Sequence, residues 1–108
     1  MKISPISALA ELASSSNPFK VLFEHGSLSV EIYKPVGKDL QQPHTRDEVY
    51  VIIAGKASFV HSESQVEVTA GDFLFVPAGD VHRFENFSDD FSTWVIFYGP
   101  EGGEAVDD

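Results

Sequence analysis

Between residues 42 and 55 the chain places a histidine and a glutamate where metal chemistry would require them. This segment contains, at short spacings, Gln42, His44, Glu48 and Gly55. The run over residues 49–53 is apolar, and a charged side chain buried beside it would be costly without a partner. Imidazole nitrogens and carboxylate oxygens both bind divalent transition metals. His44 and Glu48 are therefore candidate metal ligands, and the Gln42 amide oxygen is a candidate further ligand.

A second polar cluster supplies another histidine. It contains Gly71, Pro77, Gly79, His82 and Asn86. Proline and glycine at these positions are typical of a tight turn, so His82 is expected to enter from a different strand, with Asn86 as a hydrogen-bonding residue. Two histidines and one carboxylate are also the ligands of non-heme iron oxygenases, which leave positions open. We therefore predict an interior site for a divalent metal: Fe, Mn, Co, Ni, Cu or Zn.

The spacing of His44 and Glu48 requires an irregular backbone. Four residues of straight strand span about 13 Å, at roughly 3.3 Å per residue, whereas metal–ligand bonds are about 2 Å long. We therefore predict a bend or bulge across residues 45–47. Gln42 has the same parity as both ligands, which in a strand would place it on their face.

Other polar residues offer competing interpretations. Arg46 could pair with Glu48 in a purely structural salt bridge, and Asp47 is expected to neutralise Arg46 or to face solvent. His25 and His61 are expected at the surface or in a satisfied core position, outside the metal site.

The hydrophobic pattern predicts the elements that hold these residues. Ser4 and Pro5 suit the start of a helix with an apolar stripe of Ile6, Leu9 and Leu12. From residue 19 onward the apolar residues alternate, which indicates an all-β sandwich or barrel, jelly rolls included. Strands are predicted over residues 28–33, 49–53, 57–61, 65–69, 73–76, 81–87 and 93–98.

The aromatic side chains are expected mainly in the core of this barrel. Phe73 and Phe75 share one side of their strand, and Phe84 shares the face of His82. Tyr50 shares the face of Glu48. Its buried hydroxyl needs a polar partner, so Tyr50 is our candidate for a pocket residue that orients substrate or takes part in catalysis.

Both clusters resemble the two sequence motifs of the cupin superfamily. The second motif is matched at every specified position, and the first at His44, Glu48 and Gly55. Gln42 stands where the first histidine of the family usually stands, and Gly37 is displaced by one residue. The resemblance implies a metal held by His44, Glu48 and His82, with Gln42 as an additional ligand position.

The resemblance also implies a fold and a choice of functions. The fold would be an all-β double-stranded β-helix, or jelly-roll barrel, with a short N-terminal helix. One domain would span residues 1–108, with a core at about 19–100. The function would be that of a metal-dependent enzyme, a dioxygenase or an isomerase, acting on a small organic molecule. The alternatives are a non-catalytic module that binds metal or a small molecule, and a metal-free structural barrel. A homodimer through residues 19–23 is expected.

Composition and charge limit the kinds of partner that this chain is expected to bind. The formal net charge of −10 argues against nucleic acid, whose phosphates this surface would repel. No apolar run approaches the roughly 20 residues that cross a bilayer. The sequence has no cysteine, which excludes disulfides and thiolate metal sites. We therefore expect a cytoplasmic protein with no membrane partner and an acidic C-terminal tail that frays.

Overall fold

The structure, a computed structural model, describes residues 1–106 and contains one helix and eight strands. No helix among these residues is long and apolar enough to cross a membrane. The elements are α1 (Pro5–Ala13), β1 (Phe19–His25), β2 (Leu28–Tyr33), β3 (Asp47–Ala54), β4 (Lys56–His61), β5 (Ser64–Thr69), β6 (Phe73–Val76), β7 (His82–Glu85) and β8 (Ser92–Tyr98).

The strands form two antiparallel sheets that confirm the predicted jelly roll. The larger sheet has the order β1-β2-β8-β3-β6, and the smaller has the order β5-β4-β7. Strand β3 lies between β8 and β6, whereas β4 and β5 form the predicted hairpin in the other sheet. Since β3 and β7 belong to different sheets, residues on their inner faces meet across the barrel.

The inner faces of the two sheets enclose the main core. In β3 the inner residues are Glu48, Tyr50 and Ile52, which pair with Phe97, Val95 and Thr93 of β8. Alternation along a strand places successive side chains on opposite faces. The buried apolar residues of this cluster are Tyr33, Tyr50, Ile52, Ala57, Phe59, Val68, Val76, Phe84, Phe91 and Val95.

Helix α1 covers part of the outer face of the larger sheet. Ser4 caps it as predicted, since its side chain accepts a hydrogen bond from the backbone N–H of Ser7 at 3.2 Å. Ala8 and Leu12 pack against Ile32 of β2. Ile6 is 83% exposed, so its predicted place in the buried stripe was wrong. The sheet contacts the face that carries residues 8 and 12, which are one turn apart.

One further expectation was wrong. Phe73 and Phe75 are 64% and 44% exposed on the outer face of β6, not in the core. The start of the acidic tail, which was expected to fray over residues 101–108, is held by the backbone N–H groups of Gly102 and Glu104, which donate to the Thr45 carbonyl and the Asp47 carboxylate at 2.6 and 2.9 Å. Residues 107 and 108 of this tail lie outside the described residues.

Candidate metal centre

The three predicted ligands come from three different segments. Glu48 is the second residue of β3, and His82 is the first residue of β7. His44 lies in the irregular connection between β2 and β3, residues 34–46. The chain bends at Thr45 and Arg46 before β3 begins, which confirms the predicted break between His44 and Glu48.

The structure brings these three side chains to one point. Each offers a ligand atom, and these atoms all lie within 4.8 Å of one another. His82 Nε2 is 2.9 Å from Glu48 Oε1, and His44 Nε2 is 3.7 Å from Glu48 Oε2. The side chains of Glu48 and His82 are both 1% exposed, whereas that of His44 is 32% exposed and forms the outer side of the cluster. The geometry is that of a small cluster closed on the inside and open toward His44.

Glu48 is the side chain that most needs a cation. Both carboxylate oxygens are buried, and neither accepts a hydrogen bond from any of residues 1–106. His82 Nδ1 lies 2.9 Å from the Asp80 carbonyl oxygen. Since a carbonyl only accepts, Nδ1 carries a proton, and in the neutral form of His82 the lone pair of Nε2 points at Glu48. Two facing acceptors in a buried place fit a shared metal ion.

The environment changes the pKa values of both histidines. Burial alone would lower the pKa of His82, but the Glu48 carboxylate and the Asp80 carbonyl outweigh burial and raise it above 6.5. Burial lowers the pKa of His44 below 6.5, although the charge of Glu48 opposes this shift. Without a metal, His82 is therefore protonated more readily than His44.

Tyr50 lies beside this cluster, on the face of Glu48 that the sequence predicted, but it is fully buried and does not line the cavity next to the cluster. Its hydroxyl donates to Gln41 Oε1 at 2.8 Å and lies 3.0 Å from His82 Nε2. Its ring packs edge-on against Phe59 and Phe84. Burial, followed by the charge of Glu48, raises the pKa of Tyr50 well above 10, so the phenol remains protonated and can donate.

The glutamine that reaches the cluster is Gln41, whereas the sequence suggested Gln42. Gln42 is exposed. The parity argument fails at this position because residues 41–44 are not in a strand. Gln41 and the buried Asp39 that contacts it were missed. Their only signal in the sequence was their position in a long irregular connection, which often carries function.

Backbone contacts hold the segment that carries His44. The Gly79 N–H donates to the His44 carbonyl at 2.7 Å. Asp47 is buried and accepts hydrogen bonds from the backbone N–H groups of Ala78 and Glu104, at 3.0 and 2.9 Å. Asp47 therefore neither faces solvent nor neutralises Arg46, because it ties β3 to the turn before His82.

Arg46 does not form the alternative salt bridge with Glu48. Its guanidinium donates to the Ser27 carbonyl and lies 5.8 Å from the centre of the Phe97 ring. Glu48 is therefore left without a basic side chain of Arg or Lys, and the purely structural interpretation of this pair was wrong.

A cavity of about 800 Å³ opens next to the cluster. His44, Glu48 and Gln41 lie on its wall, together with apolar residues such as Tyr33, Leu40 and Phe97. A volume in this range accommodates a small organic ligand, and an apolar wall with a few polar groups is typical of such sites. The ligand cluster is thus accessible from a chamber large enough for a substrate.

Glu31 gives the wall of this cavity a titratable group. It faces inward from β2, in the row of Val95 and Tyr50. Burial, with the charge of Glu48 added and that of Arg46 opposing, raises the pKa of Glu31 to about 7. At neutral pH the wall is therefore less negative than its carboxylates would suggest.

The known proteins that are similar to this chain include the following three. An uncharacterized protein of Streptomyces coelicolor is 33% identical over 94 residues, which are 85% of this chain and 90% of that protein. The crystal structure of the DMSP lyase DddQ from Ruegeria pomeroyi aligns with a TM-score of 0.65 and 26% identity, over 75% of this chain and 46% of that one. The chain thus spans less than half of that lyase structure.

The third similar protein supports the fold alone. The structure of protein NMB1881 from Neisseria meningitidis aligns with a TM-score of 0.69 and 17% identity, over 92% of this chain and 100% of that one. The profile of the cupin domain family matches residues 29–98, from the second residue of β2 to the end of β8. Since this match spans more than half of the sequence, the chain belongs to the cupin domain family.

Proposed function

We propose that the chain binds a divalent transition metal through His44, Glu48 and His82 and acts on a small organic molecule that enters from the cavity. The observation that carries the proposal is Glu48, whose two buried oxygens accept no hydrogen bond from residues 1–106 and face two imidazole nitrogens. The donor set of two nitrogens and a carboxylate suits Fe, Mn, Co, Ni, Cu or Zn.

The bound metal would supply Lewis-acid chemistry or activate dioxygen. The residues around the metal would bind and orient the substrate and exclude water. His44 lies on the cavity wall, so an incoming ligand meets the cluster on that side. Tyr50 remains protonated; its hydroxyl donates to Gln41 Oε1 in this structure and would have to turn away from Gln41 to donate to a substrate oxygen. Phe97 and the apolar wall exclude water from the organic part of the ligand.

Two reaction classes are compatible with this arrangement. A dioxygenase fits the ligand set of two histidines and one carboxylate. A lyase is supported by the 26% identity to the DMSP lyase DddQ, and Tyr50 provides a proton-transfer group beside the cluster. The alternative is a module that binds metal or a small molecule without turnover.

Metal analysis tests the site. Protein purified without a histidine tag is expected to contain close to one equivalent of a transition metal, or to bind one after dialysis. His82→Ala is expected to lose it. His61→Ala is the matched control, because His61 pairs with Asp80 at 2.8 Å and should leave metal content unchanged. Substoichiometric metal that is the same in wild type and His82→Ala would reject the proposal.

Turnover assays distinguish an enzyme from a binder. The Fe(II)-loaded protein is tested for O₂ uptake with catechols, diketones and flavonols, and the protein loaded with each candidate metal is tested for cleavage of DMSP. Uptake or cleavage that disappears in His82→Ala supports an enzyme. Absence of both, with saturable metal binding, favours the binding module.

We also propose that the chain forms a homodimer through β1. β1 is an edge of the larger sheet, and its Phe19 and Val21 are 45% and 42% exposed. An open edge with apolar side chains favours pairing with another strand.

A further inference from the structure

Asp39 is a buried carboxylate whose hydrogen bonds fix the orientation of Gln41. Asp39 is 5% exposed and lies in the connection between β2 and β3. Its Oδ1 accepts from the Tyr33 hydroxyl at 2.5 Å and from the Gln41 backbone N–H at 3.1 Å. Its Oδ2 accepts from the Phe84 N–H and from Gln41 Nε2, both at 2.8 Å. Asp39 thereby joins the connection to both sheets and grips Gln41 at two points.

These two hydrogen bonds between Asp39 and Gln41 decide which end of the Gln41 amide faces the metal cluster. A carboxylate accepts hydrogen bonds and cannot donate them, so the amide nitrogen of Gln41 must be the atom next to Asp39. The amide oxygen must then point the other way. It accepts a hydrogen bond from the Tyr50 hydroxyl at 2.8 Å and lies 3.4 Å from His44 Nε2. The orientation of the Gln41 amide is therefore fixed by its hydrogen-bond partners, although the amide oxygen and nitrogen are similar in size and shape.

The position of this oxygen matches that of a metal ligand. Neighbouring ligands of one ion with bonds of about 2.1 Å lie about 3.0 to 3.4 Å apart, for octahedral and tetrahedral arrangements. The separation of Gln41 Oε1 from His44 Nε2 is 3.4 Å, and His82 Nε2 is 2.9 Å from Glu48 Oε1. Gln41 Oε1 therefore lies at ligand spacing from His44 and is joined to His82 through the Tyr50 hydroxyl.

We infer that Gln41 supplies a fourth, neutral ligand to the metal, and that Asp39 is the positioning residue that keeps its oxygen turned inward. This inference rests on the proposed metal site. It assigns to Gln41 the place that the sequence motif suggested for Gln42. Because the amide is neutral, the site would carry one negative charge from its protein ligands, that of Glu48.

The test compares Gln41→Ala with Gln42→Ala. Affinity for Zn(II) and Co(II) is measured by competition with a chromophoric chelator, and the Co(II) absorption spectrum reports the ligand set without any assay of activity. Gln41→Ala is expected to weaken binding about 10- to 100-fold and to shift the Co(II) bands. Gln42→Ala, at an exposed position, is expected to leave both unchanged. Gln41→Met, of similar length but without the amide, repeats the test if the alanine variant folds poorly.

Asp39→Asn tests the positioning role. The new amide can donate to the oxygen of Gln41, which allows Gln41 to turn and present its nitrogen to the metal. We expect the affinity to fall and the Co(II) bands to shift as in Gln41→Ala, although Gln41 itself is intact. Binding and spectra equal to wild type in the Gln41 variants would overturn the inference while leaving the proposed site standing. Absence of metal binding by wild type would reject the proposed site itself.

Discussion

Glu48 is the residue at which function and stability oppose each other. Its carboxylate is 1% exposed, and neither oxygen accepts a hydrogen bond from residues 1–106. Its nearest partners are two histidines: burial lowers the pKa of His44, whereas Glu48 itself raises the pKa of His82. A charge held in this way is costly for the metal-free protein, and a bound cation would remove the cost.

We predict that Glu48→Gln abolishes metal binding yet stabilises the metal-free protein. The amide removes the buried charge and can donate to the lone pair of His82 Nε2, so the unfolding free energy in EDTA should rise by about 1–3 kcal/mol, the cost of an unsatisfied buried group. Urea unfolding followed by tryptophan fluorescence measures the change. A metal-free variant clearly less stable than wild type would mean that Glu48 is chiefly a structural partner of His82.

Tyr50→Phe separates the hydroxyl of Tyr50 from its ring. The ring contacts with Phe59 and Phe84 are kept, whereas the hydrogen bond to Gln41 is lost. For any substrate turned over, we expect kcat to fall about 10²- to 10⁴-fold with metal content unchanged. Tyr33→Phe is a comparison variant, since its hydroxyl binds Asp39. Full kcat in Tyr50→Phe would exclude proton transfer by Tyr50.

At the scale of elements, the end of β3 depends on one glycine. Gly55 has φ of +77°, and a Cβ there would lie 2.5 Å from Ser88 Oγ and 2.7 Å from backbone atoms of Phe91. Glycine is favoured at this position for two reasons. Residues with a side chain disfavour the positive φ, and the Phe91 backbone cannot easily move away from a Cβ. Gly55 thus allows the chain to cross from one sheet to the other beside the segment that begins β8.

Gly55→Ala and Gly71→Ala distinguish conformation from contact. Gly71 also has a positive φ, of +91°, but nothing lies within 4 Å of its Cβ position. Gly71→Ala is expected to cost about 1–2 kcal/mol, the cost of the left-handed conformation. Gly55→Ala should cost a further 1–3 kcal/mol or so, from overpacking. Urea unfolding of the metal-free proteins measures both, and equal losses would contradict the close contact at Phe91.

At the scale of the whole molecule, the larger sheet has two open edges. β1 exposes Phe19 and Val21, and β6 exposes Phe73 and Phe75. The formal net charge of −10 opposes self-association and is screened by salt. The exposed apolar side chains of the edge strands favour self-association.

We predict a dimer through β1. Sedimentation velocity at micromolar concentration and moderate salt should give twice the 11.9 kDa of one chain. Val21→Lys should shift the protein toward the monomer, whereas Phe73→Lys should not. A dimer that survives Val21→Lys and dissociates in Phe73→Lys would place the interface at β6, and a monomeric wild type would reject the proposal.

The sequence by itself determined the elements and the three candidate ligands. The alternation of apolar residues gave the strands because side-chain direction along a strand has a strict period of two. The spacing of His44 and Glu48 required a bend, because in a straight strand the two side chains would lie too far apart to bind one ion. The cap at Ser4 followed from local chemistry alone.

Only the tertiary structure decided which face is inside and which neighbours meet. Alternation groups Phe73 with Phe75 but cannot say whether their face meets the other sheet or solvent. Parity has no meaning in the connection between β2 and β3, so it selected Gln42, whereas hydrogen bonds from Asp39 turn Gln41 inward. These choices depend on contacts between residues distant in sequence, such as Asp39 with Phe84, which no local pattern encodes.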